Sequence, residues 1–445
     1  VLKTFKMGGV HPAENKLSAG KAIEKLPLPK TVSIPVAQHI GAPATVVVKR
    51  GDEVKVGTVI AQSSGFVSTN IHSSVSGKVA KIDDVMDASG YKKKAVVISV
   101  EGDEWEQGID TSDTLIKETH LDAKEINAKI LAAGIVGLGG ATFPTHVKLS
   151  PPPGMTAEVL LINGVECEPY LTSDHRLMLE KTAEIIVGTK LLMKSLGVNK
   201  AVIGIENNKP DAITRMKDFT ANEPEITVQP LKVKYPQGGE KQLIKAVTGK
   251  EVPSGALPIA VGAVVNNVGT AFAVYEAVMK NKPLIERVVT VTGKSVKEPS
   301  NLMVRVGTPV TELVEAAGGM PEDTGKVISG GPMMGRALTT LEVPVTKGTS
   351  GILLIRNEES KRSEMEPCIR CGKCVNVCPM GLEPFLLMTM SEKKLWERSE
   401  DRHVMDCIEC GSCSFTCPSN RPLLDYIRLG KGTVGKLIRA RKSQN

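Results

Sequence analysis

Eight of the nine cysteines in this 445-residue chain fall in its last fifth, as two copies of one spacing. The first copy reads Cys368-x2-Cys371-x2-Cys374-x3-Cys378-Pro379, the second Cys407-x2-Cys410-x2-Cys413-x3-Cys417-Pro418. The proline after each fourth cysteine turns the chain away and removes an N–H that would otherwise need a partner. Paired Cys-x2-Cys units also make tetrahedral zinc sites. Zinc, however, needs only two pairs per site and gives no reason for the repeated third and fourth cysteines. The spacing points to iron–sulfur ligation, and so to electron transfer.

The run is similar to that of the two-cluster bacterial ferredoxins, in which three close thiolates hold one [4Fe–4S] cube and the fourth crosses to the other. That resemblance implies Cys368, Cys371, Cys374 and Cys417 for one cluster, and Cys407, Cys410, Cys413 and Cys378 for the other. Between the runs lie 28 residues, Pro379 to Asp406, helically patterned through Pro384–Arg398. A compact ferredoxin would use a shorter spacer, so a helical two-cluster domain is expected. Such ligands must stay reduced until the cluster is inserted, which implies a reducing cytosol.

A chain of this length divides into several cores. Aromatic content of 3% argues against a nucleic-acid surface built by base stacking. The net charge is +7, and after Asp425 no acidic residue follows while Arg428, Lys431, Lys436, Arg439, Arg441 and Lys442 do, which reads as a solvated basic tail, with docking to an acidic partner or anionic lipid as the alternative. No apolar signal segment opens the chain, and Val1–Lys30 is charged and proline-broken. The uncharged stretch Pro253–Tyr275 holds Pro258, Asn266, Asn267 and interior glycines, so a buried strand, a turn and a helix start are expected there in place of a membrane span.

The expected fold class is multidomain α/β. Residues 1–115 carry short β-branched runs (Thr45–Val48, Thr58–Ala61, Gly77–Ile82) between glycine turns, and they resemble a biotinyl or lipoyl carrier domain, a barrel-sandwich fold. Such a domain bears its cofactor on a hairpin lysine, yet Thr58–Gly77 contains no lysine, so a structural or docking role is expected. Residues 120–287 alternate a helix at Asp122–Ala133 with strands at Val159–Ile162, Ala201–Ile205, Ile226–Leu231 and Ala263–Asn266, the pattern of a mostly parallel sheet. Residues 288–356 read as a β-grasp module with a helix at Val310–Ala317, 360–430 as the cluster domain, and 431–445 as the basic tail.

Clusters take single electrons, so exchange with a nicotinamide calls for a flavin. A glycine-rich loop offers itself: Gly134-Ile-Val-Gly137-Leu-Gly139-Gly140-Ala-Thr-Phe143-Pro-Thr-His-Val-Lys148. Glycines let a backbone approach phosphate, and the lysine neutralises it. It is no Rossmann fingerprint, because the third glycine is missing and a helix precedes it. Three further turns follow strands, where open α/β sheets bind ligands: Asn163-Gly-Val-Glu166-Cys167-Glu168-Pro169-Tyr170, Tyr235-Pro-Gln-Gly238-Gly239-Glu240-Lys241, and Val265-Asn266-Asn267-Val-Gly269-Thr270. Cys167 reads as a buried free thiol.

These four segments resemble the flavin- and NADH-binding subunit of respiratory complex I. The whole chain is similar to the C subunits of Rnf complexes, ion-translocating ferredoxin:NAD oxidoreductases, on Phe5–Lys16, the N-terminal carrier-like unit, Gly330-Gly-Pro-Met-Met-Gly335 and the terminal double ferredoxin. The resemblance implies non-covalent FMN held by Gly137, Gly139, Gly140 and Lys148, with Asn163, Asn266, Asn267 and Thr270 hydrogen-bonding it. Phe143, Glu166, Glu168 and Glu240 would border the nicotinamide of NAD(H). There are departures from complex I. Val165 replaces an acidic residue and Gly239 a glutamate, and the loop lacks that family's arginine. The implied activity is hydride exchange between NAD(H) and FMN, and single-electron exchange with two [4Fe–4S] clusters. Partner subunits of a membrane complex would link it to ferredoxin, with this chain peripheral on the cytoplasmic face. A cobalamin-reductase-like flavin protein, whose carrier-like domain is C-terminal, and a non-catalytic electron wire are the alternatives.

Overall fold

The computed structural model describes residues 2–444. The N-terminal barrel packs a four-stranded sheet against a three-stranded one. Its long hairpin pairs Ser76–Met86 with Lys92–Gly102 across a turn in which Asp87 accepts from the backbone of Ser89 and Tyr91. Alternate residues Val32 and Ile34, and Val96 and Ile98, point inward onto Ile60, Ile71 and Val79, as the two-residue period of a strand requires.

The central unit is a parallel sheet in the order Ile226–Leu231, Ala201–Glu206, Val159–Asn163, Ala263–Asn267. Both faces are covered by helices, so the strands read as continuous apolar runs. Its first helix, Ala123–Ala132, starts on a capping box between Asp122 and Glu125. The chain builds outward from Val159–Asn163 in one direction, then returns to place Ala263–Asn267 on its other side. The crevice between those two strands is therefore the switch point at which such sheets bind ligands, and Asn163 and Asn267 stand opposite each other there. The uncharged Pro253–Tyr275 stretch resolves into a 3-10 turn (Pro258–Val261), this fourth strand, and the start of helix Val268–Lys280. Among the described residues no helix is long and apolar enough to cross a membrane.

The third unit has the β-grasp order, with Glu286–Thr292 central between Ser300–Arg305 and Gly351–Arg356, and helix Val310–Ala316 across it. One edge carries an unexpected strand, Ile23–Lys25, which pairs in parallel with Asn301–Met303. The preceding residues do not join the barrel. They run as a strap over the central unit and the cluster domain, through Val10 paired with Tyr235 and Gly9 N donating to Val377 O at 2.9 Å.

In the cluster domain the expected helix Pro384–Arg398 is two, Pro384–Glu392 and Trp396–Asp401, divided at Lys394, whose φ is +56°. The basic end is not a solvated tail. It belongs to helix Leu423–Gln444, which packs on Pro384–Glu392, and three of its six basic residues are engaged: Arg428 and Lys431 with Glu409, and Arg441 with Glu400.

Candidate functional site

The glycine-rich loop is closed at its foot and pinned near its tip. Gly137 N donates to Phe143 O at 2.9 Å and Thr145 N to Ile135 O at 3.1 Å, which staples the base. Leu138 N donates to Thr270 Oγ1 at 2.9 Å, tying the loop to helix Val268–Lys280. Gly139 lies against Asn267, where a Cβ would come 3.3 Å from the asparagine side chain, whereas Gly140 faces open space. Phe143 is half-buried at the base.

Around this loop the sheet edge assembles amides and one ion pair. Asn163 Nδ2 donates to Gly238 O at 2.9 Å, which joins two of the turns. Asn267 caps its helix by accepting from Gly269 N at 2.8 Å, and its amide donates to Asp174 at 2.6 Å. Asn266 is 4% exposed and, among the described residues, its Nδ2 has no hydrogen-bond partner, so a buried donor is left unsatisfied. A flavin carbonyl fits that donor, and the open backbone at Gly139–Gly140 fits an approaching phosphate or ring. Lys148 bonds Glu240 at 2.7 Å and Val265 O at 3.0 Å, so the ammonium is held at the crevice.

Two of the residues expected to border the nicotinamide are hydrogen-bonded within the protein. Glu166 accepts from Asp174 N and His175 N, because the N-terminus of helix Ser173–Glu180 offers it unpaired donors. Glu168 reaches the Gly330–Gly335 turn of the β-grasp unit, accepting from Met333 N at 3.2 Å and Met334 N at 2.7 Å. Their loop is strained, with φ of +47° at Glu166 and +70° at Tyr170. Lys16 of the strap holds it by donating to the carbonyls of Glu166, Glu168 and Leu171. Cys167 accepts from Gly238 N at 3.3 Å, and burial pushes its thiol up to about 12, which leaves it inert at neutral pH.

Burial raises the Glu168 carboxyl to about 7, against an ordinary value of 4.5. The folded chain thus holds this proton more tightly than the unfolded one. The stabilisation is complete below pH 4.5 and is lost as pH rises through about 7. The Tm of wild type relative to Glu168→Gln, followed by thermal melts, should therefore fall between pH 4.5 and 7 and then level off. A flat difference would contradict this.

The cysteines form two settings. Cys378, Cys407, Cys410 and Cys413 line one cavity with Leu382, Leu387, Ile408 and Leu424, so the fourth cysteine of the first run joins the first three of the second. Burial pushes Cys413 up to about 12 and Cys407 to about 11, a penalty on bare thiolates that bound iron would offset. Backbone N–H groups of Leu382 and Glu409 already point at Cys378 and Cys407 sulfurs. Cys374 lies within electrostatic reach of Cys417 and Cys368, while Cys368 and Cys371 are exposed. The buried set adjoins the crevice: Tyr235 donates to Cys410 O at 2.8 Å, and Gln242 to Pro379 O at 3.2 Å.

Four stretches match known domain families in chain order. They are the RnfC barrel sandwich hybrid domain over residues 3–103, the Nuo51 FMN-binding domain over 130–276, the SLBB domain over 288–337 and the 4Fe-4S dicluster domain over 367–421. The C subunit of the proton-translocating ferredoxin:NAD(+) oxidoreductase complex of Clostridium ljungdahlii is 50% identical over 431 residues, covering 96% of this chain and 93% of that one. The chain belongs to the Rnf C-subunit family. Another similar member, the C subunit of the Na(+)-translocating ferredoxin:NAD(+) oxidoreductase complex of Acetobacterium woodii, is 47% identical over 440 residues, covering 97% of each chain. An NAD+-reducing [NiFe]-hydrogenase in its H2-reduced state shares the fold at a TM-score of 0.50 and 19% identity, over 70% of this chain and 62% of that one.

In this member of the Rnf family, sequence reasoning missed Asp174, Lys16 and Tyr235 as parts of the site. Asp174 sits in a helix start with no motif, and only the fold brings it to Asn267. Lys16 lies inside the Phe5–Lys16 word but 150 residues from the loop it holds. Tyr235 opens a turn whose glycines drew attention to its other end.

Proposed function

We propose that the switch-point crevice binds FMN and NAD(H), and that the chain works as the nucleotide-handling part of a ferredoxin:NAD(+) oxidoreductase. Its relatives in Clostridium ljungdahlii and Acetobacterium woodii, matched over nearly their whole length, are named for that activity. Bound FMN supplies the exchange between two-electron and one-electron chemistry. The residues' tasks follow from their places. Gly139 and Gly140 would leave room for FMN to approach the backbone, Asn266 would offer it a donor, Lys148 would supply the positive charge for its phosphate, and Glu240, now paired with Lys148, would lie toward the nicotinamide. Asn163 and Asn267 hold the two strand ends at the crevice.

The observation that carries the reading is the seam from crevice to cysteines. Asn163 bonds Gly238, Gly238 bonds Cys167, and Tyr235 of the same turn bonds Cys410. The set Cys378, Cys407, Cys410 and Cys413 is then the inner ligand set. The set Cys368, Cys371, Cys374 and Cys417, of which the first two are exposed, faces partner subunits, with the chain peripheral on the cytoplasmic side of the membrane. The end-to-end likeness to Rnf C subunits favours this over a cobalamin-reductase-like role.

Lys148→Ala should weaken FMN binding about tenfold, since a half-buried charge-assisted contact is removed, while iron content stays unchanged. Flavin fluorescence titration and iron analysis on one preparation check this, and equal flavin affinity would move the site elsewhere. NADH-dependent reduction of an artificial acceptor by the reconstituted chain separates an enzyme from a passive wire.

A further inference from the structure

The barrel hairpin between Val59–Gln62 and Ile71–His72 has no assigned task, and it is not free. Thr69 Oγ1 donates to Leu131 O at 3.2 Å and Asn70 Nδ2 to Ala132 O at 3.3 Å, both carbonyls at the C-terminal end of helix Ala123–Ala132, the first of which also accepts from Gly134 N. His146 Nε2 hydrogen-bonds Phe66 O at 3.1 Å, and the two rings meet edge to face at 6.3 Å. Ile40 N donates to Thr142 O at 3.3 Å, beside the tip of the glycine-rich loop.

Lys347 of the β-grasp unit closes this junction. Its ammonium, on a residue only 1% exposed, donates to Asn70 O at 3.0 Å and to Gly134 O at 2.7 Å, so three units meet on one charge. Those partners are carbonyl dipoles, with no carboxylate to neutralise the ion, and burial pulls its pKa down to about 7. A methionine of similar length would be less costly to bury, so a lysine kept here has a geometric duty. Gly134, at φ +69°, is packed so closely that a Cβ would come 2.3 Å from Asn70 O. The lock continues toward the crevice. Lys347 O accepts from Arg287, which lies within electrostatic reach of Asp174, and Asp174 holds Asn267.

We infer that Lys347 is a positioning residue for the flavin crevice, locking the lysine-free barrel hairpin onto the foot of the glycine-rich loop so that the barrel is a fixed wall of the site. The inference rests on the flavin reading above and adds to it what the N-terminal domain does. With the foot fixed at Gly134 and the tip fixed by Thr270, Gly139 is held against Asn267. Freeing the foot lets the loop drift from the ring.

The test uses the full chain reconstituted with iron and sulfide, comparing wild type with Lys347→Met. FMN affinity is read by fluorescence titration, and amide hydrogen exchange is followed in residues 63–72 and 134–142. The expected result is at least a tenfold rise in the FMN dissociation constant, faster exchange in both segments together, and iron unchanged. Unchanged affinity at normal iron content overturns the inference, and so does weakened binding without faster exchange in 63–72. Should Lys347→Met not fold, Thr69→Val decides. It deletes one bond from the hairpin side and should give about a threefold loss with the same paired exchange signature, and wild-type behaviour would overturn the lock. If the wild-type chain takes up no FMN, the flavin reading fails, and the exchange comparison still judges the lock.

Discussion

Replacing Cys413 with serine should leave a chain with about four irons in place of about eight. Cys413 is 8% exposed and shares its cavity with Cys378, Cys407 and Cys410, so the loss should fall on one cube and spare the other. The surviving set, Cys368, Cys371, Cys374 and Cys417, is half-buried to exposed and shares no ligand with it. Loss of the buried cube should also loosen the seam, because Tyr235 anchors on the carbonyl of Cys410. Iron and labile-sulfide analysis with low-temperature electron paramagnetic resonance checks this. Retention of all the iron would refute the ligand set, and loss of both cubes would refute their independence.

Gly188→Val should be the most damaging single change outside the cysteines. Gly188 lies in helix Thr182–Leu196, which crosses Val268–Lys280 so closely that even a Cβ would come 1.9 Å from the carbonyl oxygen of Ala271. The obstacle is backbone, so no rotamer relieves it and the helices must separate. Overpacking of this kind costs about 1–3 kcal/mol, occasionally more, and valine adds two methyl groups to the clash. The displaced helix begins at the Asn267 cap and carries Thr270, so flavin affinity should fall along with stability. Denaturant titration monitored in the α/β unit reads the first effect and FMN titration the second. A variant as stable as wild type would mean the helices are not packed as described.

The α/β core was readable because its inner strands are buried on both faces and announce themselves as apolar runs between turns, while the edge strand Ile226–Leu231 alternates. The strand Ile226–Leu231 has the bounds its sequence implied, and Val159–Asn163 and Ala263–Asn267 extend by one asparagine each. Those asparagines are polar, yet they stay in the ladder because the strand must reach the crevice before it turns. The cysteine spacing is local and equally plain. The strap is not, since Ile23–Lys25 is short and charged and gains its strand geometry only from the edge of Ser300–Arg305. The two glutamates of the Asn163–Tyr170 turn share one sequence word, but one meets a helix start and the other a loop from a different unit. No local pattern encodes which partner wins, because unpaired N–H groups attract any carboxylate and the Met333 and Met334 donors that take Glu168 are distant in the chain.

The strap sets a timetable for biosynthesis. Gly9 finds its partner at Val377, so about 370 residues must follow it off the ribosome before the bond closes, roughly 20–75 s at 5–20 residues per second. Over that interval Lys16 meets the Glu166–Leu171 loop far sooner than the segment around Val10 can settle between Tyr235 and the cluster domain. The barrel and the nucleotide unit are therefore built first, and the leading segment is fastened over the cysteine region last. Sealing of the seam is thereby postponed until the first cysteine run, which contains Val377, has been made.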